Sequence, residues 1–232
     1  VERCDRRRIR PLFVIFDSCF GDEPSLEKAD SPTWVNNPGF SRLGDTAAME
    51  RYVRAVVTPF AKDRRILGWD LMNEPMADFH HVTREDRDLI WAFVRRVAAW
   101  VRDADPTHPI TVGEAVVEYL PKTADLVDVL SVHSYAATSE EFRADLDLAR
   151  RFGRAAKKPV VVTECGNPGG GQPYEMALEV LAEEKIGFYV WELMIGKMQF
   201  REMAGLFYPD GTVRELGAVA ALAGYRLKKE GV

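Results

Sequence analysis

The chain has 232 residues, 47% of them hydrophobic and 29% charged, which is enough for one large α/β domain or two small ones with a real core. Its net charge of −5 argues against nucleic acid or an anionic membrane surface as a partner. Cys4, Cys19 and Cys165 form no Cys-x-x-Cys pair and are too sparse for a disulfide framework, and no apolar run reaches the ~18 residues of a membrane span.

The cysteine usage fits a reducing compartment and favours the cytoplasm over secretion; no signal peptide is visible. The basic run Arg6-Arg7-Arg8-Ile9-Arg10 reads as the solvated end of a helix. Residues 12–16 form a short apolar strand ending at Asp17. A helix follows an N-cap at Asp45, with Met49, Val53, Val56 and Phe60 on one face. Residues 67–72 form the second strand. Thr83 and Asp86 resemble a capping box for a helix whose stripe is Leu89, Phe93, Val97 and Val101, ended by Asp105-Pro106. Strands are predicted at 110–112, 127–132, 160–163 and 187–191. Between and after them, helices are predicted from the stripe Phe142, Leu146, Ala149 and Phe152, and over 176–184 and 215–229.

Strand-helix alternation without hairpin signals implies one domain, residues 1–232, with a parallel sheet covered by helices. Asp17, Asn73-Glu74, Glu114, His133, Glu164 and Trp191-Glu192 all fall at the C-terminal ends of strands. A barrel gathers such ends around one mouth, whereas an open sheet spreads them along an edge. No Gly-x-Gly-x-x-Gly follows the first strand either, so the expected architecture is a (β/α) barrel.

Two segments carry the chemistry. Gly68-Trp69-Asp70-Leu71-Met72-Asn73-Glu74-Pro75 runs an apolar strand into Asn-Glu, where a proline stops the ladder. Val160-Val161-Val162-Thr163-Glu164-Cys165-Gly166 delivers a second carboxylate in the same way. A glycosidic bond is cleaved by such a pair, one carboxyl protonating the leaving oxygen and one carboxylate attacking the anomeric carbon. Their environments are expected to push the two pKa values apart. His133 and Tyr135 alternate at period two, so that Tyr135 can hold the nucleophile ionised and His133 can order the network. Trp191 offers a flat face for a pyranose, and Trp34 a subsite wall. His80-His81 lacks an obvious third metal ligand, and Gly169-Gly170-Gly171 reads as a turn. Cys165 has no histidine to activate it and reads as a packed thiol. Glu114 and Glu192 are spare strand-end carboxylates. Neither a metal nor another cofactor is called for.

This constellation closely resembles the clan A glycoside hydrolases, family 5 (cellulases and mannanases) in particular. The resemblance rests on Asn73-Glu74-Pro75, His133-x-Tyr135, Thr163-Glu164 and Trp191. It implies a TIM-type barrel and a retaining double displacement on β-linked, β-1,4 above all, glucan, mannan or related oligosaccharides. It also implies Glu74 as acid/base, Glu164 as nucleophile and Asn73 on the sugar 2-hydroxyl. Aligned this way, residues 12–16 become the third barrel strand. Strands three to eight are then accounted for, the domain is incomplete at its N-terminal side, and the family's second-strand arginine has no counterpart. Such a sheet has two open edges, which a homodimer or higher oligomer is expected to cover. Two rivals remain open: a non-catalytic or weakly active carbohydrate-binding remnant of the fold, and a metal-dependent hydrolase on the same barrel.

Overall fold

The computed structural model describes residues 1–17, 46–75, 84–195 and 204–230. Six strands form one parallel sheet: β1 (Leu12–Asp17), β2 (Gly68–Asn73), β3 (Ile110–Glu114), β4 (Leu130–His133), β5 (Val160–Glu164) and β6 (Gly187–Phe188). They pair strictly in chain order, each with the next. A doubly wound sheet reverses its strand order at a switch point. This sheet never reverses, so every crossover advances it in the same direction, as in a barrel wall. The (β/α) barrel wall expected from the polar strand ends is the architecture found, with six parallel strands among the described residues. Among the described residues, β1 and β6 do not pair with each other.

The helices are α1 (Glu2–Asp5), α2 (Thr46–Val57), α3 (Arg84–Ala104), α4 (Leu120–Thr123), α5 (Ser139–Ala156), α6 (Tyr174–Glu184) and α7 (Leu216–Glu230). Arg6 to Arg10 are exposed beyond α1, as a solvated helix end requires. In α2, Val53 and Val57 are fully buried and Met49 and Val56 partly so; Phe60, expected on the same face, follows in a 3₁₀ turn (Thr58–Phe60) and is also partly buried. In α3 the buried stripe is Ile90, Phe93, Val94, Val97 and Val101. Leu89, expected in that stripe, is 49% exposed. Leu89 and Ile90 both satisfy helical spacing to later apolar positions, and packing against the sheet selects Ile90. Helix α5 begins at a full capping box, Thr138 with Glu141, that the apolar stripe alone did not reveal. Asp45 and Thr83 lie outside the described residues.

Two strand bounds move by three residues and the others by two or fewer. The fourth strand starts at Leu130 rather than 127: the Val127 amide is still taken up by Thr123 O at the end of α4, and the Asp128 amide only reaches Ile110 O at the start of β3. The sixth strand stops at Phe188 rather than 191. Beyond it, Tyr189 and Trp191 still donate to Val162 O and Cys165 O, but among the described residues no further strand holds its other side. Strands β2 and β3 are almost entirely buried on both faces, which explains their continuous apolar composition. Asp105, which ends α3, is also a structural anchor: it accepts from Trp69 Nε1 at 3.0 Å and meets His108 Nδ1 at 2.6 Å. No described helix is long and apolar enough to cross a membrane.

Candidate active site

Both glutamates stand at strand ends, and an irregularity in the ladder precedes each. β2 pairs with β3 through Asp70↔Thr111 and Asn73↔Gly113, so β2 uses one residue more than β3 between those points. β5 does the same against β4, with Val132↔Val162 followed by His133↔Glu164 and Thr163 as the extra residue. A bulge sharpens the twist and re-aims the side chains that follow. Glu74 then leaves β2 with φ +47°, a left-handed conformation that costs a non-glycine residue about 1–3 kcal/mol and concentrates at functional sites. Its N–H still donates to Gly113 O at 2.8 Å, and Pro75 behind it has no N–H to continue the ladder.

The two side chains meet at His133, which is 3% exposed. Its Nδ1 lies 2.8 Å from Glu74 Oε1 and 3.5 Å from Glu164 Oε2. Its Nε2 lies 3.0 Å from Thr163 Oγ1, the bulge residue, which in turn contacts Ser131 Oγ. Tyr135 donates its hydroxyl to Glu164 Oε2 at 2.6 Å. The ring lies over Gly113: a Cβ there would come 2.5 Å from His133 Nε2, so only glycine leaves room. One oxygen of each glutamate and a ring nitrogen of His133 all fall within 4.8 Å of one another. That spacing could also hold a metal ion; in this structure His133 Nδ1 bridges the two carboxylates instead.

Trp191 meets Tyr135 edge-on, with 6.4 Å between ring centroids. Asn73 Nδ2 donates to Asp17 Oδ1 at 3.3 Å, which orients the amide beside Glu74. Trp34, His80, His81 and Cys19 lie outside the described residues. Cys165 is a packed thiol: it is fully buried, reaches Tyr189 O at 3.5 Å, and burial pushes it up to about 12. Gly169-Gly170 sit in a single 3₁₀ turn that Asn167 caps. Residues 69–74 hold one partner that the strand reading missed. Asp70, the single charge inside an apolar run, is 2% exposed beneath this cluster.

The comparisons with known proteins agree with the geometry. The family model for Cellulase (glycosyl hydrolase family 5) matches residues 27–196. The chain belongs to glycosyl hydrolase family 5. A curated relative, the probable mannan endo-1,4-beta-mannosidase A of Aspergillus clavatus, is 24% identical over 79 residues, which are 34% of this chain and 21% of that protein. Among solved structures, GH5_18 from Streptomyces cattleya in complex with GlcNAc superposes with a TM-score of 0.71 at 18% identity. The match covers 97% of this chain and 64% of that one. A Bacteroides uniformis beta-glucuronidase gives a TM-score of 0.66 at 17% identity, covering 97% of this chain and 29% of that one. The chain thus spans about a fifth of the curated relative and less than two thirds of each of these solved structures.

The electrostatics of the family-5 site follow from burying several carboxyls around one imidazole. For His133, burial opposes the charged form, but the negative charges of Glu164 and Glu74 outweigh it and hold the ring's pKa at about 9. Burial pushes Glu164 up; the His133 charge opposes this, the Glu74 charge adds to it, and the Tyr135 hydrogen bond opposes it again. The net direction for Glu164 is upward. An ionised Glu164 is therefore favoured by His133 staying charged. Burial, followed by the charge of Glu164, keeps the Tyr135 phenol protonated as a donor. Glu114 is pushed to about 8 by burial, so it is a neutral acid at pH 7. Its Oε1 accepts from Thr123, and its Oε2 has no partner among the described residues.

These shifts set a stability profile for the family-5 domain. Asp70, raised by burial to about 7, Glu114 at about 8 and His133 at about 9 all bind their protons more tightly folded than unfolded. Each contribution is complete below the unfolded pKa and is lost as pH rises through the folded one. Each extra native proton costs about 1.4 kcal/mol per pH unit over its window. Because the three groups interact, the losses do not add in full. The melting temperature is expected to fall steadily between about pH 5 and pH 9. A flat profile across that range, by calorimetry, would contradict the buried protons.

Proposed function

We propose that the chain is a retaining β-glycosidase acting on β-linked, primarily β-1,4, glucan, mannan or related oligosaccharides. In the protonation state that reacts, Glu74 carries a proton and gives it to the glycosidic oxygen as the bond to the anomeric carbon breaks, while the Glu164 carboxylate attacks that carbon from the opposite face. A glycosyl ester to Glu164 results. Water, losing its proton to Glu74, then displaces the ester and releases the sugar with its configuration retained. The observation that carries this reading is the spacing of the carboxylates around His133, with oxygens within 4.8 Å. Retaining pairs stand about 5–5.5 Å apart, and inverting pairs need about 6.5–9.5 Å to admit a water. Tyr135 donates to Glu164 and His133 sets its positive charge 3.5 Å from the same oxygen, as an ionised nucleophile needs. Trp191, beside Tyr135, serves as the stacking platform, and Asn73 as the partner of the 2-hydroxyl.

The mannanase relative makes β-1,4-mannooligosaccharides the first substrate to assay, followed by cello-oligosaccharides. Proton NMR of the first sugar released should show the β-anomer. Initial α-anomer would replace retention with inversion, and glycan binding without turnover would make the domain a binding remnant.

We further propose that a second copy covers the exposed sheet edges. Val14 on β1 is 46% exposed, and Leu193 and Met194 beyond β6 are 67% and 44% exposed. Static light scattering is expected to report a dimer or larger assembly; a monodisperse monomer at micromolar concentration would rule it out.

A further inference from the structure

The glycosidase reading uses the residues at the mouth, but it leaves unexplained why a carboxylate is buried one layer below them. Asp70 is the third residue of β2 and is 2% exposed. Its Oδ1 accepts from two backbone amides, Met72 N and Gly113 N, each at 3.2 Å. These amides flank the irregularity that separates the pairings Asp70↔Thr111 and Asn73↔Gly113. A bulge leaves amides without ladder partners, and a buried amide without a partner is costly. The Asp70 carboxylate therefore closes the bulge that sets Asn73 and Glu74 at the mouth.

The same side chain also faces His133. The point a Gly113 Cβ would occupy is 2.5 Å from His133 Nε2 and 3.1 Å from Asp70 Oδ2, so the ring and the carboxylate flank one small gap. Glu74 and Glu164 lie on the other side of the ring, at Nδ1. We propose that Asp70 is a positioning residue for the catalytic pair: it closes the β2 bulge and supplies the anion behind His133 that keeps the imidazolium in place between Glu74 and Glu164.

The charged and titratable groups around the ring are Asp70 and Glu74 from β2 and its exit, Glu114 from β3, Glu164 from β5 and Tyr135 from the segment after β4. Asp17 from β1 acts on Glu164. Glu114 is held neutral by burial, and Glu74 and Glu164 change charge or become esterified during turnover in the proposed mechanism. Asp70 touches no substrate in that mechanism, so above its own pKa of about 7 it is the anion whose charge turnover does not change.

Asp70→Asn separates the two roles. The amide oxygen can still accept both backbone amides, while the charge is gone. With ¹⁵N-labelled histidine the chain shows four rings, His80, His81, His108 and His133, and a His133→Asn control assigns the last. The His133 titration, near 9 in the wild type, is expected to drop by at least about one pH unit in Asp70→Asn. The same variant should lose about tenfold in kcat on the oligosaccharide, with KM changed by less than about threefold. A midpoint within about 0.3 pH unit of wild type would overturn the electrostatic role. Asp70→Ala removes the acceptor as well and should lose activity further or fold poorly. If it matched Asp70→Asn in both kcat and melting temperature, the bulge-closing role would fall. The proposal rests on the glycosidase reading for its kinetic half only. The titration is read without turnover, so an inactive wild type with the expected shift would sink that reading and leave Asp70's effect on His133 standing.

Discussion

Glu164→Gln is expected to lower kcat on β-linked oligosaccharides by about 10⁵-fold, the scale on which removing a covalent nucleophile acts. The amide has the shape of the acid but no lone-pair charge with which to form the glycosyl ester. Its oxygen can still accept from Tyr135, which now reaches Glu164 Oε2 at 2.6 Å, so the local structure should hold. Because burial pushes the Glu164 carboxyl upward, a neutral amide removes a desolvation cost. The variant should therefore melt at the same temperature as the wild type or higher, in line with the trade between activity and stability at such sites. Glu164→Ala supplies the chemical control. Azide should fit the space of the lost carboxylate and attack the anomeric carbon, giving an α-glycosyl azide from a β-glycoside. Glu164→Gln activity within about tenfold of wild type would remove the nucleophile assignment.

Glu74→Gln should cost about 10²- to 10⁴-fold on the same substrates, the usual worth of a positioned general acid. The diagnostic is the dependence on the leaving group. An aryl glycoside whose phenolate leaves without help does not need the proton, so the first step should survive on it. The second step loses its general base, so the glycosyl ester should accumulate and the phenol should appear as a burst of about one equivalent per site. On an unactivated oligosaccharide no burst is expected. An equal loss on both substrates would assign Glu74 to binding or structure instead. The φ of +47° gives a further reason to prefer glutamine over glycine or alanine here, since the backbone then keeps its side-chain contacts while the chemistry changes.

The two variants also test how His133 divides its attention. Its Nδ1 is nearer to Glu74, at 2.8 Å, than to Glu164, at 3.5 Å. Removing the charge of either glutamate should lower the histidine titration, because both charges hold it up.

Much of this arrangement was legible in the linear chain. Short apolar runs ending in Asn73-Glu74-Pro75, His133 and Thr163-Glu164 report parallel strands and the mouth they share, because strand burial and proline's missing N–H are local properties. The convergence of Glu74, Glu164, His133 and Tyr135 followed from placing those ends on one wall. Local pattern could not choose Ile90 over Leu89, since both fit a helical stripe and only the sheet surface distinguishes them. Nor could it place the extra residue at Thr163 or between Asp70 and Asn73, because a bulge is defined by the partner strand. The role of Gly113 depends on a ring that is twenty residues away in the chain and arrives from β4. The protonation of Asp70, Glu114 and His133 was equally out of reach. Those values come from burial and from charges that the fold brings together, and the sequence by itself determined only which groups were available to be charged.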